Sequence, residues 1–258
     1  MYVAKYLLSV EEFMDKENGE ALLGRAFLNV DEERERKARR IRPGQTQAAS
    51  LGAGLLLQVA VRDAMAAAGM HEEIKHYSVK QLLESLRDRR PVPLAYVYGK
   101  EGKPYFKDLP FYFNLSHSGS YVLCVISAGE IGADIQQHSG KNVGKLARRF
   151  FTERECMVLE RTGGELERAA LEQAMGEQER LFYRLWARKE AYGKLTGKGI
   201  VDALGMDMLP KEVLQGEALP GESLPGSAES TILPDGRRLV WEESDVLEGY
   251  SIAFCQFG

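Results

Sequence analysis

The segment 131–136, Ile-Gly-Ala-Asp-Ile-Gln, combines an apolar face with two oxygen-bearing side chains. On a strand, successive side chains point to opposite faces, so Asp134 and Gln136 project together while the isoleucines enter a core. Such a face suits the binding of a cation or a polar ligand. An ordinary half-buried strand with a solvated polar face has the same pattern, so this segment alone decides nothing.

A second segment, Leu185–Lys194, reads Leu-Trp-Ala-Arg-Lys-Glu-Ala-Tyr-Gly-Lys. A helix of about 3.6 residues per turn aligns Glu190 and Lys194 on one stripe. The two side chains then form either a helix-stabilising ion pair or part of a site for a metal and an anion. Mg²⁺ prefers carboxylate, amide and phosphate oxygens, so Asp134, Gln136 and Glu190 are its candidate ligands.

Two upstream segments carry candidate anion-binding residues. Residues 114–118 read Asn-Leu-Ser-His-Ser and are followed by Gly119. Hydroxyl groups beside a histidine and a glycine favour an anion-binding turn, although a lone histidine is more often structural. Residues 102–104, Gly-Lys-Pro, predict a second turn with a cation beside a rigid proline.

The elements that must position these residues follow a helix, strand, helix, strand order. Capping boxes at Ser78 with Gln81 and at Thr152 with Glu155 each begin a helix. The other predicted helices are 31–42, a buried helix at 45–70, and 165–194 with a possible break at Gly176. The predicted strands are 1–10, 121–127, 131–136, 239–241 and 250–254, with 121–127 and 131–136 joined as a hairpin.

This order predicts an α+β protein with two halves, 1–115 and 116–258. The second half carries the candidate metal ligands. Residues 204–230 contain three prolines and several glycines, which favours a loop insertion in that half.

Composition argues against several classes of protein. A net charge of −4 opposes broad nucleic-acid binding, and no segment approaches the about 20 apolar residues of a membrane span. Cys124, Cys156 and Cys255 are odd in number and lack metal-binding spacing, which predicts neither a disulfide framework nor a zinc site. We therefore expect a cytoplasmic protein without a nucleic-acid or membrane partner.

Four of these segments, taken in order, resemble the motifs of the 4′-phosphopantetheinyl transferase family. They are Gly-Lys-Pro at 102–104, Asn-Leu-Ser-His-Ser at 114–118, Gly-Ala-Asp-Ile-Gln at 132–136 and Trp-Ala-Arg-Lys-Glu-Ala at 186–191. Lys194, four residues after the glutamate, belongs to the same pattern. The chain length and the Gly-Lys-Pro segment indicate the two-domain type that activates surfactin synthetase. The resemblance is clear over residues 102–199 and faint outside them.

The resemblance implies two similar α+β halves related by a pseudo-twofold axis, with coenzyme A bound between them. It implies that Asp134 and Glu190 bind Mg²⁺, or alternatively Mn²⁺, with Gln136 as a third ligand, and that Lys194 lies by the pyrophosphate. The residues that it assigns to coenzyme A are Lys37, Arg40, Lys103, Pro104, Ser116 and His117. For Lys37 and Arg40, a solvated helix face is the competing interpretation.

The implied reaction moves the 4′-phosphopantetheine arm of coenzyme A to a serine of an apo acyl or peptidyl carrier protein, with release of 3′,5′-ADP. Such holo-acyl-carrier-protein synthase activity serves fatty-acid, polyketide or nonribosomal peptide biosynthesis. Glu190 is the candidate base and Lys194 the candidate stabiliser of the departing phosphate. The two-domain type also implies a monomer. A non-catalytic module for coenzyme A or a nucleotide, and a metal-dependent phosphohydrolase, stay open as alternatives.

Two positions depart from the family pattern. The strand motif commonly carries a second acidic residue where this chain has Gln136, so we expect weaker Mg²⁺ binding or a changed response to Mn²⁺. The helix after Pro43 lacks a familiar arginine, because residues 48–51, Ala-Ala-Ser-Leu, stand in its place. Whether this helix contacts the adenylate group, as the family pattern implies, therefore stays open.

Overall fold

The structure is a computed structural model that describes residues 3–66, 73–139, 143–162, 168–209, 229–233 and 235–258. The chain divides into two compact units, Met1–Ile131 and Gly132–Gly258, each with its own hydrophobic core. Each unit contains helices and a four-stranded sheet, which confirms the predicted α+β class. The pseudo-twofold relation between halves stays a prediction.

The first unit is built on the sheet β2-β1-β6-β5, in which β1 and β2 run parallel and the other neighbours antiparallel. A short ribbon of β3 and β4 is separate from it. The elements are β1 (Val3–Ser9), α1 (Gly19–Phe27), α2 (Glu32–Arg39), α3 (Gln45–Met65), β2 (Ile74–Tyr77), α4 (Val79–Ser85), β3 (Tyr96–Tyr98), β4 (Pro104–Phe106), β5 (Tyr112–Ser118) and β6 (Tyr121–Ser127), with a 3₁₀ turn at Glu11–Met14.

Helix α3 forms the centre of the first core. Its leucines pack with apolar side chains of β1 and β6 in one continuous cluster, which confirms that this predicted helix is buried. The helix ends at Met65, and residues 67–70 of its predicted range lie outside the described residues. The capping box of Ser78 and Gln81 is also confirmed at the start of α4.

The first unit extends past the predicted boundary between residues 115 and 116. β5 and β6 form a hairpin that turns at Gly119 and Ser120, and β6 also pairs with β1. Residues 116–127 therefore belong with the first sheet, because their ladder hydrogen bonds are made there.

The second unit is built on the sheet β7-β10-β9-β8, and its longest helix packs on β10. The elements are β7 (Ile131–Gln137), α5 (Gly144–Phe150), α6 (Glu153–Thr162), α7 (Arg168–Thr196), β8 (Glu229–Ile232), β9 (Arg238–Ser244) and β10 (Tyr250–Phe257), with a 3₁₀ turn at Ile200–Ala203.

The hairpin predicted between 121–127 and 131–136 is wrong. Both segments are strands, but β6 pairs with β1 and β5, whereas β7 pairs with β10 in the other sheet. The short link of residues 128–130 resembles a hairpin loop in length. Strand pairing depends on partners far along the chain, which a short link does not reveal.

Helix α7 passes through Gly176 without the predicted break. Trp186 anchors it against Phe150 and Phe151, with ring centroids 5.1 and 6.5 Å from its own. The predicted loop insertion at 204–230 lies mostly outside the described residues, and its last two residues begin β8. No helix in the described part of the chain is long and apolar enough to cross a bilayer.

A buried network of charges joins α7 to β9. Glu243 accepts hydrogen bonds from Arg184 (Nη2 to Oε2, 2.6 Å) and from Arg188 (Nε to Oε1, 2.9 Å). Arg188 also donates to Glu229 on β8. Burial alone would raise the pKa of Glu243, but the two guanidinium groups outweigh it and hold that pKa at about 2. The network therefore stabilises this unit through a carboxylate that stays ionised.

Replacement of Glu243 by glutamine removes the anion that Arg184 and Arg188 share, while Arg188 keeps its ion pair with Glu229. We expect Glu243→Gln to lower the free energy of unfolding by about 3–5 kcal/mol at neutral pH. Chemical denaturation followed by tryptophan fluorescence reports on this unit, because Trp186 and Trp241 are the only tryptophans of the chain. The exposed Glu248→Gln is the matched control and should change stability by no more than about 0.5 kcal/mol.

The ion pairs of Glu243 also make the stability of this unit depend on pH. The pKa of Glu243 in the folded protein, about 2, lies below its ordinary value of 4.5. Its contribution to stability is therefore complete above about pH 4.5 and is lost as the pH falls towards 2. Glu243→Gln should lack this part of the acid destabilisation. An acid profile identical to that of the wild type would contradict the assignment.

Candidate functional site

Strand β7 buries the carboxylate of Asp134, whose residue is 1% exposed. Oδ2 accepts a hydrogen bond from Nε2 of Gln136 at 2.8 Å, and Oδ1 accepts one from Nζ of Lys194 at 2.5 Å. The side chains of Asp134 and Gln136 thus lie on one face of the strand, as its alternation predicts. The structure also brings Lys194, 60 residues away, to the same group.

Helix α7 carries Glu190 one turn before Lys194. Glu190 is half-buried, and burial is the main cause that raises its pKa. The negative charge of Asp134 raises this pKa further, and the ammonium of Lys194 opposes the shift. The charge of Asp134 therefore acts on the carboxyl group of Glu190. Lys194 reaches across to β7, so its role exceeds a local ion pair within the helix.

The close approach of α7 to β7 depends on Gly132. A Cβ atom on this residue would lie 2.0 Å from the carbonyl oxygen of Ala191 and 2.8 Å from the amide nitrogen of Leu195. These are backbone atoms of the turn that contains Glu190 and Lys194, so they cannot move aside as a flexible side chain would. Glycine therefore lets the helix lie near enough for both side chains to face the strand.

A second glycine contact fixes the end of α7. A Cβ atom on Gly193 would lie 2.3 Å from the carbonyl carbon of Gly199, whose amide donates to the carbonyl of Gly193 at 3.0 Å. Gly199 has a φ of 73°, which favours glycine. The chain after the helix thus folds back over the turn that bears Lys194.

Lys189 and Glu155 support α7 on another side, and the sequence analysis gave neither a role in the site. Both side chains are 0% exposed and form an ion pair at 3.0 Å. Nζ of Lys189 also donates to the carbonyl of Met206 at 2.7 Å, and Glu155 accepts from the amide of Met208 at 2.8 Å. Because both charges have hydrogen-bond partners, this pair fixes α6 and the segment around Met206 to the helix beside Glu190. The capping box identified Glu155 as a helix signal only.

The cluster of Asp134, Gln136, Glu190 and Lys194, termed the acidic cluster below, fits a magnesium ion with few protein ligands. Mg²⁺ is usually held by one or two carboxylates together with water and substrate phosphates. Among the residues that the structure describes, no three His, Cys, Asp or Glu side chains form a group able to hold a metal. Two carboxylates and an amide therefore suit a metal ion whose remaining ligands are phosphate oxygens of a substrate.

In the first unit, the segment 114–118 lies on β5 rather than in the predicted turn, and the chain turns only at Gly119, where φ is 54°. His117 is exposed, whereas Ser116 is buried. As neighbours on a strand they point to opposite faces. The structure therefore does not bring these two predicted phosphate ligands to one face.

Lys37 and Arg40 are exposed at the end of α2, termed the basic end below. Gln47 of α3 ties this end to the start of α3, because its Nε2 donates to the carbonyls of Ala38 and Ile41 at 3.1 Å each. The basic end and the first turn of α3 therefore lie together.

The first turn of α3 is also tied to the β5–β6 turn. Nε2 of Gln45 donates to the carbonyl of Gly119 at 2.6 Å, two residues after His117. The basic end of α2, the start of α3 and His117 thus lie at the same end of the first unit.

Pro104 begins β4, and Lys103 precedes it in the connection between the two strands of the ribbon, β3 and β4. The hydroxyl of Tyr98 in this ribbon donates to the carboxylate of Glu33, in the first turn of α2. The ribbon is therefore fixed to the start of α2, opposite the basic end.

Residues 48–51, which stand in place of the familiar arginine, are all buried in α3. A cation at these positions would enter the core without a solvent-exposed partner. This stretch of α3 therefore contributes packing, and it offers no cation to a ligand.

Residues 130–255 match the family model described as the 4′-phosphopantetheinyl transferase superfamily. The matched segment is just under half of the chain and includes every residue of the acidic cluster. The match confirms the predicted resemblance for this part of the chain.

Individual proteins give the same result. The chain is 39% identical over 132 residues to a protein of Synechocystis sp. named as a 4′-phosphopantetheinyl transferase, covering 49% of each chain. It is 37% identical over 100 residues to the 4′-phosphopantetheinyl transferase Sfp of Bacillus subtilis strain 168, covering 38% of this chain and 39% of Sfp. It is 35% identical over 120 residues to the 4′-phosphopantetheinyl transferase AcpT of Salmonella typhi, covering 45% of this chain and 56% of AcpT. The matches thus span about half or less of the first two relatives' own length.

A methyl group at Gly132 would collide with the backbone of α7 and push the helix from β7. We expect Gly132→Ala to lower the free energy of unfolding of the second unit by about 1–3 kcal/mol, measured by denaturation with tryptophan fluorescence. Gly176→Ala is the control, on the helix that Gly132 contacts, where the nearest atom to the new carbon is 3.9 Å away. Alanine should stabilise the helix there by about 0.5–1 kcal/mol. Effects of equal sign and size at both sites would contradict the close approach.

Proposed function

We propose that this protein transfers the 4′-phosphopantetheine arm of coenzyme A to a serine of an apo carrier protein, because residues 130–255 match the family model of the 4′-phosphopantetheinyl transferase superfamily. The observation that carries the proposal is the acidic cluster, in which Asp134, Glu190 and Lys194 lie together. Carboxylates suit a cation and an ammonium group suits a phosphate. A pyrophosphate substrate that binds together with a metal ion needs carboxylates for the ion and an ammonium group for the phosphates.

The proposed reaction is a displacement at the β-phosphorus of coenzyme A. The serine hydroxyl oxygen forms a bond to this phosphorus, the bond to the bridging oxygen breaks, and 3′,5′-ADP leaves with the electron pair. Serine is a weak nucleophile until a base accepts its proton. Glu190 is the proposed acceptor, because burial and the charge of Asp134 raise its pKa and so make it a stronger base.

Lys194 is proposed to stabilise the departing phosphate. Its ammonium carries a positive charge at the cluster, and positive groups that face growing negative charge lower the barrier of phosphoryl transfer.

Asp134, Gln136 and Glu190 would hold a magnesium ion in this proposal. When bound, the ion supplies positive charge that neutralises the pyrophosphate and stabilises the leaving group. Gln136 is neutral where a carboxylate would add negative charge. We therefore expect weaker Mg²⁺ binding, or a different response to Mn²⁺, than from a set of three carboxylates.

His117 is proposed to bind the 3′-phosphate of coenzyme A. Support comes from its exposure at the end of the first unit where α3 begins, since the first N–H groups of a helix attract anions. Lys37 and Arg40 at the basic end add positive charge. Ser116, buried on the other face of β5, is not supported as a partner of His117. Lys103 and Pro104 stay proposals for coenzyme A contacts.

An apo acyl or peptidyl carrier protein of fatty-acid, polyketide or nonribosomal peptide synthesis is the proposed partner. Lys145 and Arg149 are exposed on α5, and the ring of Phe150 packs on Trp186, one turn before Glu190. A basic surface this near the acidic cluster supports the docking of an acidic carrier domain. A monomeric state and a cytoplasmic location complete the proposal.

The decisive test offers the full chain coenzyme A, Mg²⁺ and several apo carrier proteins, and measures the intact mass of each carrier. A gain equal to the phosphopantetheine arm is expected. Cleavage of coenzyme A without a gain would favour the phosphohydrolase, and binding without any product would favour the non-catalytic module.

Variants of the acidic cluster test the assigned roles in the same assay. Glu190→Gln and Lys194→Met should each lower the transfer rate by about 10²–10⁴-fold, with circular dichroism as the check that each variant is folded. Glu248→Gln and Lys198→Met remove the same charges from exposed positions of the same unit and should keep the wild-type rate. Near-normal transfer by both cluster variants would contradict these roles.

The role of His117 is tested with coenzyme A and 3′-dephospho-coenzyme A by titration calorimetry. His117→Ala should weaken the binding of coenzyme A by about 10-fold to 100-fold, the range of a hydrogen bond to a charged group. It should leave the binding of the dephospho compound unchanged. His76→Ala, exposed on the opposite edge strand of the same sheet, is the control. Equal weakening of both ligands by His117→Ala would contradict the proposed contact.

A further inference from the structure

The ammonium of Lys194 lies on the carboxylate that the proposed metal site requires. Nζ is 2.5 Å from Oδ1 of Asp134, while the amide of Gln136 donates to Oδ2 at 2.8 Å. A cation that binds Asp134 directly would meet a like charge within a few ångströms, and such charges repel strongly at a partly buried position. The ammonium of Lys194 and a metal ion therefore compete for the carboxylate of Asp134.

We propose that Lys194 is a displaceable counter-ion of Asp134 that competes with the metal, and that coenzyme A relieves this competition by drawing the ammonium to its pyrophosphate. The inference rests on the proposed function. Burial of an unpaired carboxylate costs several kcal/mol, so Asp134, fixed on its strand, needs a positive partner when no metal is bound. Lys194 meets this need.

The side chain of Lys194 is also able to move away from Asp134. Its side chain is 28% exposed, whereas that of Asp134 is 2% exposed, and a lysine ammonium sits on a flexible four-carbon stem. By contrast, Lys189 in the same helix is fully buried and bonded to backbone carbonyls. Of these two lysines, Lys194 is the one that can exchange partners without unpacking the core.

The charges of the acidic cluster favour the exchange. With Asp134 and Glu190 ionised and Lys194 protonated, the cluster carries a net charge of −1. A divalent ion changes this to +1, which favours departure of the ammonium from Asp134 and attraction of a pyrophosphate. Metal and coenzyme A should therefore strengthen each other's binding by the same factor, as linkage requires.

The test measures the binding of Mn²⁺ alone by electron paramagnetic resonance. Lys194→Met should bind Mn²⁺ at least about fivefold more tightly than the wild type, the lower end of ordinary coupling between sites. Lys198→Met is the matched control. It removes the same charge just beyond the same helix, but its ammonium lies 3.4 Å from Asp202 instead, so it should match the wild type.

Lys194→Gln, which keeps a polar group near Asp134, should also tighten Mn²⁺ binding and serves as the second variant should Lys194→Met fold poorly. Added coenzyme A should tighten Mn²⁺ binding by the wild type more than by either Lys194 variant. Unchanged or weaker Mn²⁺ binding by both variants would overturn this inference and leave the transferase proposal standing. Absence of Mn²⁺ binding by the wild type, with and without coenzyme A, would overturn the proposed metal site as well.

Discussion

The contact between α7 and β7 at Gly132 is the constraint on which the acidic cluster depends. Because the strand has no side chain there, the helix backbone reaches within 2.0 Å of the place a Cβ atom would take. Only at this separation do Glu190 and Lys194 face Asp134. The other sides of the helix are fixed by buried charges, since Arg188 pairs with β9 and Lys189 with α6. Arg188, Lys189 and Lys194 thus pair with three different elements, β9, α6 and β7.

Local patterns predicted the parts of this arrangement that a short stretch of chain determines. Alternation placed Asp134 and Gln136 on one face, and helical spacing placed Glu190 and Lys194 on one stripe. Both predictions hold because they depend on backbone geometry within a few residues. The partner of β7 could not be predicted in this way, since β10 begins at Tyr250, more than a hundred residues later. The same reason explains the mistaken hairpin.

Charged residues were harder to interpret because their partners lie far along the chain. Lys189 and Glu155 are 34 positions apart and wholly buried, yet the sequence showed only a capping box and an ordinary helical lysine. Gly132 carried no local signal of its tight contact. On β5, the residue types of Ser116 and His117 suggested one phosphate site, but a strand separates them to opposite faces. Residue type indicated possible chemistry, and only the tertiary fold decided which groups meet.

The contrast between fixed and displaceable charges follows from burial. Arg188, Lys189 and Glu155 are enclosed and bonded to partners that cannot withdraw, so they hold the helix in one place. Glu190, the next residue, and Lys194, one turn later, keep part of their surface in solvent. A group that must accept a proton or follow a departing phosphate has to change partners during a reaction. The second unit therefore places its buried charges around the helix and its partly exposed ones at the end that faces β7.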